Sequence, residues 1–204
     1  MRRDFLDLLS TPAVRAAQER SYGAARILPP RSGPRQDLGP DEAAFIAARD
    51  SFYLASIGES GWPYVQHRGG PPGFLHLASP TRLVMADYRG NRQLLSTGNI
   101  AAGGRVALFL MDYVARERLK ILGTARVVTF AEARELAPGM AVPDGVVCER
   151  GFVIEVVGFD WNCPKYITPR FSEQQVREMA RPLQEEVERL RHRVAELEAA
   201  GPCR

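Results

Sequence analysis

Cysteine and histidine are scarce in this chain, at three residues each in 204. Cys148, Cys163 and Cys203 are odd in number and widely spaced, and no Cys-x-x-Cys occurs. That argues against a disulfide framework and a structural zinc site, and it fits a reducing compartment. His67, His76 and His192 do not fall at helical metal-ligand spacing, which argues against a zinc hydrolase and leaves no metal site to expect. No run reaches the ~18 apolar residues needed to span a bilayer. Asp4 and Asp7 interrupt the apolar residues near the start, so no secretory core segment is read and a cytoplasmic protein is expected. An excess of one charge is missing too. The net charge of +3 comes from 27 basic and 24 acidic residues spread along the chain. Without a basic block interleaved with aromatics, neither nucleic acid nor a membrane is an expected partner. Two motifs are also absent: a Gly-x-Gly-x-x-Gly behind a strand, which would mark a Rossmann site, and a Gly-x-Ser-x-Gly elbow.

What is present reads as a soluble domain with extensions, able to build a core without disulfides or metal. Residues 1–37 form an N-terminal helical extension and connector, 38–171 the main domain, and 172–204 a C-terminal helix. Residues 4–20 read as helix, with Thr11 capping a turn that starts at Pro12. A Pro- and Gly-rich connector (29–40) and a short helix (41–49) follow. Strands are expected over 51–57, 62–67, 74–78, 82–86, 105–112, 119–130 and 151–159. Gly123 marks a bulge or bend in the sixth, and a helical turn covers 131–137. Hairpin-length turns and few helices point to an antiparallel barrel rather than a parallel sheet.

Residues 82–99 carry the most chemistry. An apolar strand (Leu83 to Ala86) ends in a polar turn, Asp87 to Gly90, that holds Arg89. Asn91 reads as the N-cap of a helix over 91–98 that Arg92 and Gln93 open. Backbone amides and two guanidinium groups would then meet at one point, an arrangement suited to a phosphate. A cation at a helix N-terminus is unfavourable unless an anion answers it, which singles out Arg92.

The tail differs from the rest. Ser172-Glu-Gln-Gln is a capping-box pattern. Behind it Val176, Ala180, Leu183, Val187, Leu190, Val194 and Leu197 alternate in steps of four and three, a heptad seam of about three repeats. Pro182 is expected to kink or restart this helix. The seam fits pairing between chains and equally fits packing on its own barrel.

Six ordered segments bear a family resemblance: Ala48 to Ser56, Gly61 to Phe74, Ala86 to Asn99, Arg105 to Tyr113, Leu119 to Val127 and Asp160 to Lys165. Together the chain resembles the pyridoxamine 5′-phosphate oxidase-like family of FMN-binding split barrels, in its branch of uncharacterised flavin-nucleotide-binding proteins. The resemblance implies a mainly β (α+β) fold: a six- or seven-stranded antiparallel split β-barrel with flanking helices, here followed by the C-terminal heptad helix. It implies a homodimer with FMN in a cleft between the chains. Gln66, His67 and Arg68 would lie along the flavin ring and ribityl chain, with Gly69 close behind. Asn91 and Arg92 match the positions of a basic pair for the FMN phosphate; only one is basic here, and Arg89 could supply the missing charge. Asp87 and Tyr88 match polar residues beside the phosphate. Arg118 would face the flavin ring, and Trp161 and Arg170 match a late pair that reaches the partner's flavin.

Residue by residue, alternatives stay open. His67 and Val65 share one strand face while Gln66 and Arg68 share the other, so His67 is either a proton donor to the flavin or a core or interface histidine. Gly69, Gly70 and Gly73 either let backbone approach a ligand or simply turn the chain. Cys163 is either a reactive thiol at a site rim or inert packing. The residues that grip pyridoxal phosphate in the vitamin B6 enzymes have no counterparts here. The resemblance therefore implies an FMN-dependent oxidoreductase of a small-molecule substrate. The alternatives are a non-catalytic flavin-binding or carrier module, or the same fold with deazaflavin or haem.

Overall fold

The computed structural model describes residues 5–25, 37–161 and 165–199. Two short helices come first, α1 (Phe5–Leu9) and α2 (Pro12–Tyr22). The chain breaks between them because Thr11 turns extended and accepts from the Val14 amide, restarting the helix at Pro12. α2 ends at Gly23, whose left-handed φ of 77° closes the C-terminus. α3 (Pro40–Ala47) is shorter than the expected 41–49: Arg49 falls beyond it and donates back to the Phe45 and Met111 carbonyls.

The barrel strands are β1 (Ser51–Ile57), β2 (Pro63–Gly69), β3 (Leu75–Ser79) and β4 (Arg82–Tyr88). After α4 (Leu95–Gly103) come β5 (Arg105–Asp112) and β6 (Glu117–Thr129), then α5 (Phe130–Leu136) and β7 (Cys148–Trp161). All pairings are antiparallel, in one seven-stranded sheet of order β2-β1-β5-β6-β7-β4-β3. This is the expected split barrel with flanking helices. The register of β6 on β7 shifts at Leu122/Gly123, the bulge expected at that glycine. A Cβ on Gly123 would lie 2.6 Å from Ile154 Cγ2 and 2.9 Å from the Glu155 carbonyl, so only glycine lets the strands close there.

Period-2 alternation sorts the side chains of β1, β5 and β6. Phe52, Leu54, Leu108, Leu110, Leu119 and Ile121 point inward and join Phe152, Ile154, Leu83 and Met85 in the core, which Phe45 and Ile46 of α3 cover. A smaller cluster on the other side of β4 and β7 lies under α5, around Val84, Val153, Ala133 and Met140. Among the described residues nothing covers the opposite face of β2-β1-β5. It carries Ile57, Val65 and Tyr53, at 54%, 59% and 41% exposure, beside Phe109 and Met111.

α6 (Glu173–Ala199) is one continuous helix through Pro182, so the expected break there does not occur. None of its residues is buried. The possibility that the seam packs on its own barrel is thereby set aside. Among the described residues no helix is long and apolar enough to cross a membrane.

Candidate functional site

A shallow cleft opens where β2, the end of β4, the segment 89–94, the start of α4 and the start of β7 meet. β2 contributes alternate residues Tyr64, Gln66 and Arg68, which share the inward face. Arg68 Nη1 donates to Asp87 Oδ1 at 2.5 Å, and Arg150 Nη1 donates to Asp87 Oδ2 at 3.2 Å. Asp87 is only 5% exposed, and its two oxygens tie the β2 edge to β4 and β7. Glu149 holds the other side: Oε1 accepts from Arg89 Nε and Nη2, and Oε2 accepts from Arg150 Nη2 at 2.8 Å. The Arg89 hydrogen bonds and charge, seconded by Arg150, hold the Glu149 carboxyl below its ordinary pKa. Burial and the adjacent Cys148 push the Tyr88 phenol above its usual value, so it stays a neutral donor near neutral pH. The Cys148 thiol is itself pushed up by burial and Asp87 against a smaller pull from Arg134, which keeps it protonated and unreactive.

The helix begins later than the sequence indicates. Arg92 has φ 63° and Leu94 φ 54°, both left-handed, so no helical turn can start at Asn91. Asn91 instead accepts from the Gln93 amide at 3.2 Å, a local side-chain turn, and α4 starts at Leu95. Arg92 therefore belongs to the turn before the helix rather than to its first turn. The first-turn amides of α4 have no intrahelical acceptor, and no side chain caps them. α4 is anchored from below by Ser96 Oγ donating to Gln66 Oε1 at 2.7 Å and by Asn99 Nδ2 donating to Ser56 Oγ at 3.0 Å.

Seven residues named from the sequence thus come together: Gln66, Arg68, Asp87, Tyr88, Arg89, Asn91 and Arg92. Gly69 ends β2 opposite Ser51, outside the lining. His67 lies on the opposite strand face, edge-on to Tyr53 at 5.7 Å. Arg118 shares that outer face, over the Phe109 ring at 5.8 Å. Trp161 donates its indole N–H to Glu42 Oε1 at 2.7 Å and meets Phe45 edge-on. Arg170 lies over the Tyr113 ring at 5.0 Å. Cys163 lies outside the described residues, with Asn162 and Pro164. Tyr64, Ser96, Thr97, Glu149 and Arg150 also line the cleft and are not among the residues the sequence singles out. The signal for Tyr64 was its two-residue spacing from Gln66 and Arg68. Glu149 and Arg150 carry no such signal, because only the β4–β7 register brings them to Asp87.

The cleft carries surplus positive charge. Arg68, Arg89, Arg92 and Arg150 face Asp87 and Glu149, an excess of two positive charges that matches one phosphomonoester dianion. Arg92 forms no ion pair among the described residues. Arg68 Nε is buried without a hydrogen-bond partner there, an orphan that such a group would satisfy.

A family model described as pyridoxamine 5′-phosphate oxidase matches residues 38–143, just over half of the chain. The chain belongs to the pyridoxamine 5′-phosphate oxidase family. The matched span of the oxidase family model runs from just before α3 past α5 and so includes most of the cleft. No curated protein matches the chain. Among solved structures the chain is similar to HupZ of Group A Streptococcus, at 15% identity and TM-score 0.47, covering 66% of this chain and all of that one. It is also similar to a protein of the pyridoxinephosphate oxidase family from Clostridium acetobutylicum, at 10% identity and TM-score 0.43, covering 60% of this chain and 85% of that one. A third is an FMN-binding protein from Syntrophomonas wolfei, at 9% identity and TM-score 0.43, covering 59% of this chain and 83% of that one.

Proposed function

We propose that this oxidase-family chain binds FMN and acts as an oxidoreductase on a small molecule, as a homodimer with each flavin held between two chains. The observation that carries the reading is the cleft's charge: two surplus guanidinium charges, one of them the unpaired Arg92, beside uncapped helix amides. The phosphate would be held by Arg92, Arg89 and the first-turn amides of α4. Arg68 and Gln66 would lie along the ribityl chain, with Tyr88 as a neutral donor. When bound, the flavin supplies two-electron transfer. The protein's share is to place it, shield it and direct donors at its polar edge.

A single chain provides only half of such a site. The cleft encloses about 60 Å³, far below the ~300–1,000 Å³ of cofactor-sized pockets. The uncovered face of β2-β1-β5, with Val65, Ile57 and Tyr53, is where a second copy would pack. His67 and Arg118 lie on that face, and in such a dimer they would serve the partner's cofactor rather than their own chain's. Arg118 Nε is a second buried donor without a partner among the described residues.

Titration with FMN and with riboflavin, followed by flavin fluorescence, tests the reading. FMN should bind far more tightly, because only it carries the phosphate. Equal affinity for the two, or no binding of either, overturns it. Turnover with reduced nicotinamide and a dye acceptor tests the oxidoreductase half separately.

A further inference from the structure

We propose that α6 pairs with α6 of a second copy of this chain as a parallel, in-register, two-stranded coiled coil. The helix is 27 residues long, about 40 Å at 1.5 Å per residue. Its N-terminus is closed by its own capping box: Ser172 Oγ accepts from the Gln175 amide at 3.2 Å, and Gln175 Oε1 accepts from the Ser172 amide at 2.8 Å. The helix therefore starts under local control and then leaves the barrel. Among the described residues nothing covers the apolar stripe: Leu183 is 71% exposed and Leu197 57%. A seam of this length left in water needs a partner, and the sequence specifies which one.

The four-and-three steps place Ala180, Val187 and Val194 at heptad position a, and Val176, Leu183, Leu190 and Leu197 at position d. β-Branched residues at a with leucine at d favour two parallel strands. The flanking charges are self-complementary in that arrangement. Glu186 at g faces Arg191 of the partner subunit at e, and Arg193 at g faces Glu198 of the partner subunit at e, each pair occurring twice by symmetry. In the single chain three of these groups make exposed pairs along their own helix, Glu186 with Arg189, Arg191 with Glu188 and Arg193 with Glu196. Such pairs are weak, so exchanging them across an interface meets little resistance. Pro182 occupies position c, on the outer side, where it removes a backbone donor without displacing a core side chain. The seam is short. For its strength the proposal rests on the paired barrels inferred above, which hold the two helices at high local concentration.

The experiment uses the full-length chain carrying Cys203→Ser and Leu190→Cys, mildly oxidised at micromolar concentration. His192→Cys, at the outer f position, serves as control. Position-d cysteines of a parallel pair lie within disulfide reach, so Leu190→Cys should form covalent dimer roughly tenfold or more faster than His192→Cys. Equal rates, or no covalent dimer from either, overturn the proposal. A mixture of Val187→Cys and Leu190→Cys chains that cross-links faster than Leu190→Cys alone shows antiparallel helices and also overturns it. Sedimentation of the unmodified chain separates this reading from the one beneath it. A dimer whose Leu190→Cys thiols stay free overturns only the coiled coil; a monomer with free thiols overturns the paired barrels as well.

Discussion

Arg92 is the residue on which the phosphate assignment turns, because its neighbours are already committed. Arg68 and Arg150 share Asp87, and Arg89 is held by Glu149. Among the described residues Arg92 alone in the cleft has no carboxylate, and it occupies a left-handed conformation that a non-glycine residue adopts at a cost of ~1–2 kcal/mol. Strain of that kind persists where a site uses it. Arg92→Ala should therefore weaken FMN binding by about 1.5–3 kcal/mol, roughly 10- to 150-fold, the range for a hydrogen bond to a charged group. Equilibrium titration reads the effect, and an unchanged dissociation constant removes Arg92 from the site. The seven cleft residues named from the sequence were legible because they lie in two short segments, 66–68 and 87–92, whose residue types already suit an anion. Glu149 and Arg150 were not, because they enter from a strand some sixty residues further on, and only the β4–β7 register brings them to Asp87. Sequence spacing carries no trace of that meeting.

Elements were easier to read than their ends. Every barrel strand was expected within a few residues, since alternation and turn residues mark strands locally. The start of α4 was misplaced because Asn91 is a good cap by preference, while the backbone must first turn through Arg92 and Leu94 to leave β4. The β5–β6 hairpin offers a check at this scale. Burial alone would raise the Asp112 carboxyl, but the amides of Ala115 and Val114 and the Arg49 guanidinium 2.8 Å away outweigh it and hold the pKa below the ordinary 3.8. A folded-state pKa below the unfolded value stabilises the fold fully above about pH 4, and that contribution fades as pH drops further through the lowered value. Asp112→Asn should thus lower the melting temperature at pH 7 and cost progressively less in more acidic buffer, as thermal denaturation at several pH values would show. A constant difference across that range means the carboxylate is not stabilised by its partners.

At the scale of the whole molecule, two surfaces are left unfinished: the outer face of β2-β1-β5 and the stripe along α6. Val65→Asp would put a charge at the centre of the first. On the proposed pairing, sedimentation should then show a monomer, with FMN affinity reduced because each cofactor would lose the groups a second chain would supply. An intact dimer would place the subunit contact elsewhere. Neither surface could be assigned from alternation alone, since an apolar residue on an outer face reads the same whether water or another subunit meets it. The footing of α4 has a consequence for solution work. This helix buries only Ser96 and Ile100 and is tied down by two side-chain hydrogen bonds, Ser96 to Gln66 and Asn99 to Ser56. An element so lightly moored opens more readily than the strands beneath it. Its amides would trade hydrogen for deuterium early in the empty protein and late in the loaded one, giving a gauge of occupancy that needs no chromophore and works for any anion the cleft accepts.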